Sequence, residues 1–191
     1  MIRNIGSVKE YILNHGIVAF KTDTVMGLGA NGLDRLAVEN LFKLKNRSFK
    51  KSLYLLCYSF AQIFEYTHSI PDYAYGLMKQ HFPGAVTFIF YSTGKIWTTP
   101  VERGETIGVR IPNSKPLLEL LAEIDSPIVN TSANISGEKY FNRKEELDKF
   151  FGENVLYISF EYNISMCNIP STIVDCTGDS PVVLRKGAVL I

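Results

Sequence analysis

Short apolar runs, each closed by glycine, proline or a polar cluster, recur along the chain. Ser7-x-x-Glu10 reads as a capping box, with Gly16 stopping the helix it opens. Ile17 to Phe20 reads as a buried strand. Asp34 is placed to cap a helix whose apolar stripe is Leu36, Val38, Leu41, Phe42 and Leu44. Leu53 to Cys57 is a second strand, and Pro71 suits the first turn of a helix running to Gln80. His81-Phe82-Pro83-Gly84 ends that helix as a turn. Val86 to Phe90, Ile107 to Ile111 and Ile128 to Asn130 are strand-like, and Pro116 to Ile124 is a short amphipathic helix. Asn142 and Glu145 open another helix that closes at Gly152. Val155 to Ile158, Thr172 to Val174 and Val182 to Leu184 are short strands. Strands alternate with helices early and dominate late. That pattern predicts a mixed α/β domain with a mixed sheet. No repeat or linker divides residues 1–191, so one domain is expected.

Composition narrows the class. The chain has 191 residues, 46% hydrophobic, with Lys+Arg 20 against Asp+Glu 19. Such a balance excludes a disordered polyelectrolyte. No apolar run approaches the ~18 residues of a membrane helix, and Met1 to Glu10 lacks a signal-peptide core. Cys57, Cys167 and Cys176 are few and widely spaced, which implies neither a disulfide framework nor a zinc site. The expectation is a reduced, cytoplasmic, globular protein with no membrane partner. The even balance hides a local excess: no acid occurs between Glu39 and Glu65, where Lys43, Lys45, Arg47, Lys50 and Lys51 cluster. A solvated helix end explains such a run as well as a binding patch does.

Familiar motifs are scarce. Gly27-Leu28-Gly29-Ala30-Asn31-Gly32 matches GxGxxG, yet the acid that a ribose needs ~20 residues on is replaced by the basic run. The glycines are still expected to make tight turns. No GxxxxGK[ST] loop, HExxH or GxSxG occurs, and His15, His68 and His81 are scattered. More telling are three polar clusters at strand ends: Lys21 to Thr24, Asn130 to Asn134, and Pro170 to Thr172. Ligands of α/β sheets collect at such ends.

These clusters resemble those of a known family. Thr22-Asp23-Thr24-Val25-Met26-Gly27-Leu28-Gly29 resembles TDTVYGLG, and Lys45-Asn46-Arg47 a KxR segment. Pro83 to Thr87 is similar to PGPxT, Gly108 to Pro112 to GVRxP, and Thr131 to Gly137 to TSANxSG. Pro170 to Asp175 is similar to PSTVVD, and Leu184 to Ala188 to LRxGA. Seven matches in order resemble the YrdC-like threonylcarbamoyl-AMP synthases. The resemblance implies a twisted mixed sheet around a large concave basic cavity. It implies synthesis of threonylcarbamoyl-AMP and pyrophosphate from L-threonine, bicarbonate and ATP. Partner proteins would then modify adenosine 37 of tRNA, and double-stranded RNA is a further implied ligand.

Carried over by position, the resemblance places Thr24, Arg110 and Ser171 on threonine, with the backbone of Asn130. It places Arg47, Lys51, Thr106, Ser132, Tyr140 and Arg185 on ATP. Lys45, Arg47, Ser132 and Asn134 form its most characteristic set. Lys21, Met26, Ser52, Ala85 and Tyr140 depart from the pattern. Longer relatives carry an extra C-terminal domain, expected to be absent after Arg185-Lys186-Gly187-Ala188.

The chemistry suits these residue types. Attack of a carbamate oxygen on the α-phosphorus needs in-line positioning and positive charge, with no nucleophilic side chain. Lysine and arginine supply that charge, while Ser132 and Asn134 are read as neutral donors. Arg110 is read as the partner of the threonine carboxylate. No carboxylate cluster holds a metal, so Mg2+ is expected to arrive on ATP. The alternative is an RNA- or tRNA-binding module without catalysis.

Overall fold

The structure is a computed structural model that describes residues 5–100, 103–135, 137–160 and 164–191. Ser136 of the TSANxSG match lies outside the described residues. Helices α1 (Ile5–Leu13), α2 (Arg35–Lys45), α3 (Phe60–Tyr66), α4 (Asp72–His81), α5 (Lys115–Ile124) and α6 (Lys144–Phe151) flank one sheet. Its strands are β1 (Val18–Phe20), β2 (Gly27–Asn31), β3 (Tyr54–Leu56), β4 (Thr67–His68) and β5 (Val86–Ser92). They continue with β6 (Thr106–Arg110), β7 (Ile128–Ser132), β8 (Leu156–Tyr157), β9 (Thr172–Asp175) and β10 (Val182–Arg185). The order is β10-β9-β5-β6-β3-β7-β2-β1-β8, with β4 paired to β5. β3 with β6, β5 with β9 and β1 with β8 run parallel; the remaining pairs are antiparallel. A mixed α/β sheet was the expected architecture.

Side-chain alternation divides this sheet into two working faces. On one, Leu55, Phe88, Val109, Val129 and Val174 join a large core with residues of α2, α3, α4 and α6. On the other, Val18, Phe20, Leu56 and Ile128 pack against Val8 and Ile12 of α1 and Leu117, Leu120, Leu121 and Ile124 of α5. Thus the two helices cover only part of the second face.

Three sequence expectations require correction. Ser7 lies inside α1, which already includes Ile5, so it is not the cap of a box with Glu10. α6 is capped at Arg143, whose backbone N–H donates to Glu146, one position away from the predicted Asn142 and Glu145 opening. The glycine-rich motif is mostly strand: Gly27–Asn31 is a fully buried strand between β1 and β7, and only Gly32 lies in a turn. Its small residues answer to packing. A Cβ on Gly29 would lie 2.8 Å from the Phe20 ring and 2.9 Å from Ile128 Cγ2. Gly29→Ala is therefore expected to destabilise the fold by ~1–3 kcal/mol, read as a lower urea midpoint at unchanged m-value. An unchanged midpoint would show that the ring yields freely. By contrast, Asp34 caps α2 as expected, accepting from the N–H groups of Leu36 and Ala37.

Candidate active site

The uncovered part of the second sheet face floors a cavity of ≈ 700 Å³. Strand alternation builds it. Tyr54 and Leu56, Thr87 and Ile89, Thr106, Gly108 and Arg110, Asn130 and Ser132, and Ser171 and Ile173 all line it. Their alternate neighbours, such as Leu55, Phe88, Ile107, Val109, Val129 and Val174, sit in the core behind. Every one of the twelve residues singled out by the resemblance lines this cavity. They come from seven separated segments, and only the sheet register unites them.

The basic run reaches the site through the end of α2. Asn46 adopts a left-handed conformation (φ 49°) that asparagine tolerates, and its backbone N–H donates to Lys43 O. The chain reverses there. Lys43 stays outside, paired with Glu39. Lys45 turns inward and is 1% exposed. Its Nζ donates to Asn134 Oδ1 at 2.9 Å and to the Ser132 carbonyl. Arg47 Nε donates to Lys51 O and Nη2 to Ser52 O, both at 2.8 Å, while its guanidinium lies over the Phe42 ring. Burial lowers the Arg47 pKa.

The loop after β7 folds back to supply the facing wall. Ala133 N–H donates to Met26 O and Phe141 N–H to Ala133 O, which brings Asn134, Glu138 and Tyr140 to the cavity. Ser132 Oγ donates its single hydrogen to Asn134 Oδ1 at 2.8 Å. This corrects the reading of Ser132 as a free donor: its hydroxyl presents lone pairs. Asn134 Nδ2 gives one hydrogen to Glu138 O and keeps the other.

A second polar group surrounds Arg110. Nε donates to Gly84 O at 2.9 Å, Nη1 to Thr24 Oγ1 at 2.7 Å and Nη2 to Asp23 Oδ1 at 2.6 Å. One N–H on each terminal nitrogen is left, the number a bidentate carboxylate takes. Burial lowers the Arg110 pKa, Asp23 opposes that shift, and the nearby Arg185 adds to it. Thr22 Oγ1 donates to Val25 O, so Thr24 Oγ1, 3.0 Å away, is the donor between the two hydroxyls. Thr24 then has only acceptor capacity left for a ligand. Arg185 Nη2 donates to Ser171 O at 2.8 Å, and Ser171 Oγ lies 2.8 Å from Thr87 Oγ1. Gly187 lets this segment pass close, since a Cβ there would meet Pro170 O at 2.3 Å.

Charge at the lining is one-sided. Among the described residues, Lys45, Arg47, Lys50, Lys51, Arg110 and Arg185 share the lining with one carboxylate, Glu138. Asp23, which pairs with Arg110, is the acid just outside it. Burial, then the charges of Arg47 and Lys51, push Lys45 down from 10.5 to about 7. The unfolded chain therefore holds this proton to a higher pH than the folded one, and stability rises as pH climbs from about 7. Lys45→Met is expected to flatten that rise, measured as urea midpoints between about pH 7 and 9. A slope equal to wild type would place the titration elsewhere.

Residues missed by sequence reasoning are Thr22, Asp23, Lys50, Tyr54, Thr87 and Glu138. Thr22, Asp23 and Thr87 lay within quoted motifs and Lys50 within the basic run. Tyr54 and Glu138 carried no signal before their register was known. Among the described residues no group of three or more His, Cys, Asp or Glu could hold a metal ion. No helix among them is long and apolar enough to cross a membrane.

Known proteins share this fold. A family model for Sua5, YciO and YrdC proteins, described as "Telomere recombination", matches residues 10–187. Threonylcarbamoyl-AMP synthase of Bacillus subtilis is 32% identical over 186 residues, 97% of this chain and 54% of that protein. The crystal structure of P. abyssi Sua5 complexed with L-threonine is similar with a TM-score of 0.84 and 32% identity, covering 96% of this chain and 54% of that one. E. coli YciO is similar with a TM-score of 0.83 and 26% identity, covering 96% and 88%. The chain spans about half the length of the Bacillus subtilis and Pyrococcus abyssi synthases. The family model covers most of the chain and the folds agree, and the chain belongs to the Sua5/YciO/YrdC family.

Proposed function

We propose that this protein makes threonylcarbamoyl-AMP and pyrophosphate from L-threonine, bicarbonate and ATP, for tRNA modification by downstream transferases. The observation that carries this reading is the meeting of six cationic side chains and a set of hydroxyls around one cavity. The likeness to a Sua5 bound to L-threonine supports it.

The polar groups divide by chemistry. Arg47, Lys50, Lys51 and Arg185 carry the charge a triphosphate needs, and Thr106, Ser132 and Tyr140 complete that side. Arg110 offers its two remaining N–H groups to the amino acid's carboxylate, with Ser171 and the Asn130 backbone beside it. Asp23 offsets the charge of Arg110, so the pair positions the carboxylate more than it attracts it. Thr24 accepts from the amine end. Threonine first becomes a carbamate. Its oxygen then attacks the α-phosphorus and pyrophosphate leaves. A divalent ion would come bound to the phosphates and water, since Glu138 alone is no metal cage.

The test is one incubation of the purified protein with ATP, L-threonine and radiolabelled bicarbonate. Label in an AMP-linked product, with equal pyrophosphate, is expected, and omission of threonine should abolish both. Salt-sensitive binding of duplex RNA or tRNA with no pyrophosphate release would favour a binding module instead.

A further inference from the structure

Lys45 is a buried cation that lines the cavity and, among the described residues, has no carboxylate partner. Its side chain is 1% exposed, and no ion pair among the described residues includes it. Two of its hydrogens are held, one by Asn134 Oδ1 and one by the Ser132 carbonyl. Asn134 Oδ1 also accepts from Ser132 Oγ, which fixes the oxygen Lys45 addresses. With Cε and those two hydrogens in place, the fourth tetrahedral position at Nζ is free for a lone pair or a third hydrogen.

The reaction needs such a group. An amino acid reaches the site as an ammonium, which has no lone pair and cannot attack carbon. Few lining side chains can take its proton. The three histidines do not line the cavity, and Arg110, Arg47 and Arg185 do not deprotonate. Glu138 is exposed, and Asp23 is committed to Arg110. Arg47, Lys50 and Lys51 of the loop after α2, Glu138 of the loop after β7, Arg110 and Arg185 line the same cavity, and the charges of Arg47 and Lys51 act on Lys45.

We propose that Lys45 is the proton acceptor for the amino acid's α-ammonium before carboxylation. This deepens the synthase reading and rests on it. The ammonium N–H bond breaks, its electron pair stays on the substrate nitrogen, and the proton joins the lone pair of Nζ. The free amine attacks bicarbonate, forming the N–C bond and releasing water, and gives the carbamate. Lys45, now an ammonium, then faces the phosphates that the carbamate attacks. A pKa lowered to about 7 leaves it neutral often enough to begin this cycle. Neutral at entry and charged at phosphoryl transfer, one nitrogen serves both halves.

Lys45→Arg separates the two duties, because arginine keeps the charge and cannot accept the proton. The full-length chain is assayed for AMP-linked product across about pH 6 to 9.5. Wild type is expected to show an acid limb at or above about pH 7. Lys45→Arg should bind ATP within a few fold of wild type yet lose ~100-fold or more in turnover, regaining rate as solvent deprotonates threonine at high pH. If the guanidinium does not fit, Lys45→Met serves. It should likewise move the acid limb up to the pH at which threonine loses its own proton. Either variant retaining the wild-type limb and rate overturns the proposal, as does an acid limb that vanishes in Glu138→Gln. Wild type that makes no product fails the synthase reading itself, a result distinct from these.

Discussion

Asp23→Ala is expected to cost the fold about 3–5 kcal/mol. Its carboxylate lies 2.6 Å from Arg110 Nη2, with side chains only 14% and 8% exposed. Removing the acid leaves a guanidinium that burial disfavours in its charged form and that Arg185 repels. It cannot escape by losing its proton near neutral pH. The result should appear as a markedly lower urea midpoint. An exposed pair, by comparison, contributes only ~0–1 kcal/mol. The double change Asp23→Leu with Arg110→Met should recover much of the loss, because it removes both charges together. If Asp23→Ala lowers stability by less than ~1 kcal/mol, water reaches the pair and Arg110 has no need of it.

That pair also shows where sequence reading stopped. Thr22-Asp23-Thr24 was legible as a cluster at a strand end, because a polar run between apolar flanks is a local signal. That Asp23 meets Arg110, 87 residues away, was not, since only the sheet order brings them together. Most strands were legible from their apolar runs, and α2 and α5 from stripe and cap. β2 was not. Glycine has low intrinsic strand preference, and here the reason for it is the Phe20 ring pressed against the strand. α3 was missed because its seven residues hold three aromatics and no clean stripe, and β4 because it has two residues. The basic run was read as either a solvated helix end or a binding patch. The structure divides it: Lys43 takes the first role, while Lys45, Arg47, Lys50 and Lys51 turn into the cavity. Asn46, by reversing the chain after Lys45, makes that division.

The same reversal gives the second large expected effect. On the proposed reaction, Arg47→Ala should lower kcat/KM by roughly 10- to 150-fold, equivalent to ~1.5–3 kcal/mol for a charge-assisted contact. Two losses combine. The guanidinium is one of the cations available to the triphosphate, and it also ties the carbonyls of Lys51 and Ser52 at 2.8 Å each. Without those ties, the loop that carries Lys50 and Lys51 is no longer held against the cavity. Arg47→Lys separates these contributions. It keeps the positive charge but cannot span two carbonyls with one planar fork. If charge dominates, the lysine variant should recover most of the rate. If anchoring dominates, it should resemble alanine, with a raised KM for ATP in both. Turnover equal to wild type in Arg47→Ala, with the unfolding midpoint unchanged, would remove Arg47 from the site's chemistry and leave Lys51 and Arg185 as the phosphate's partners.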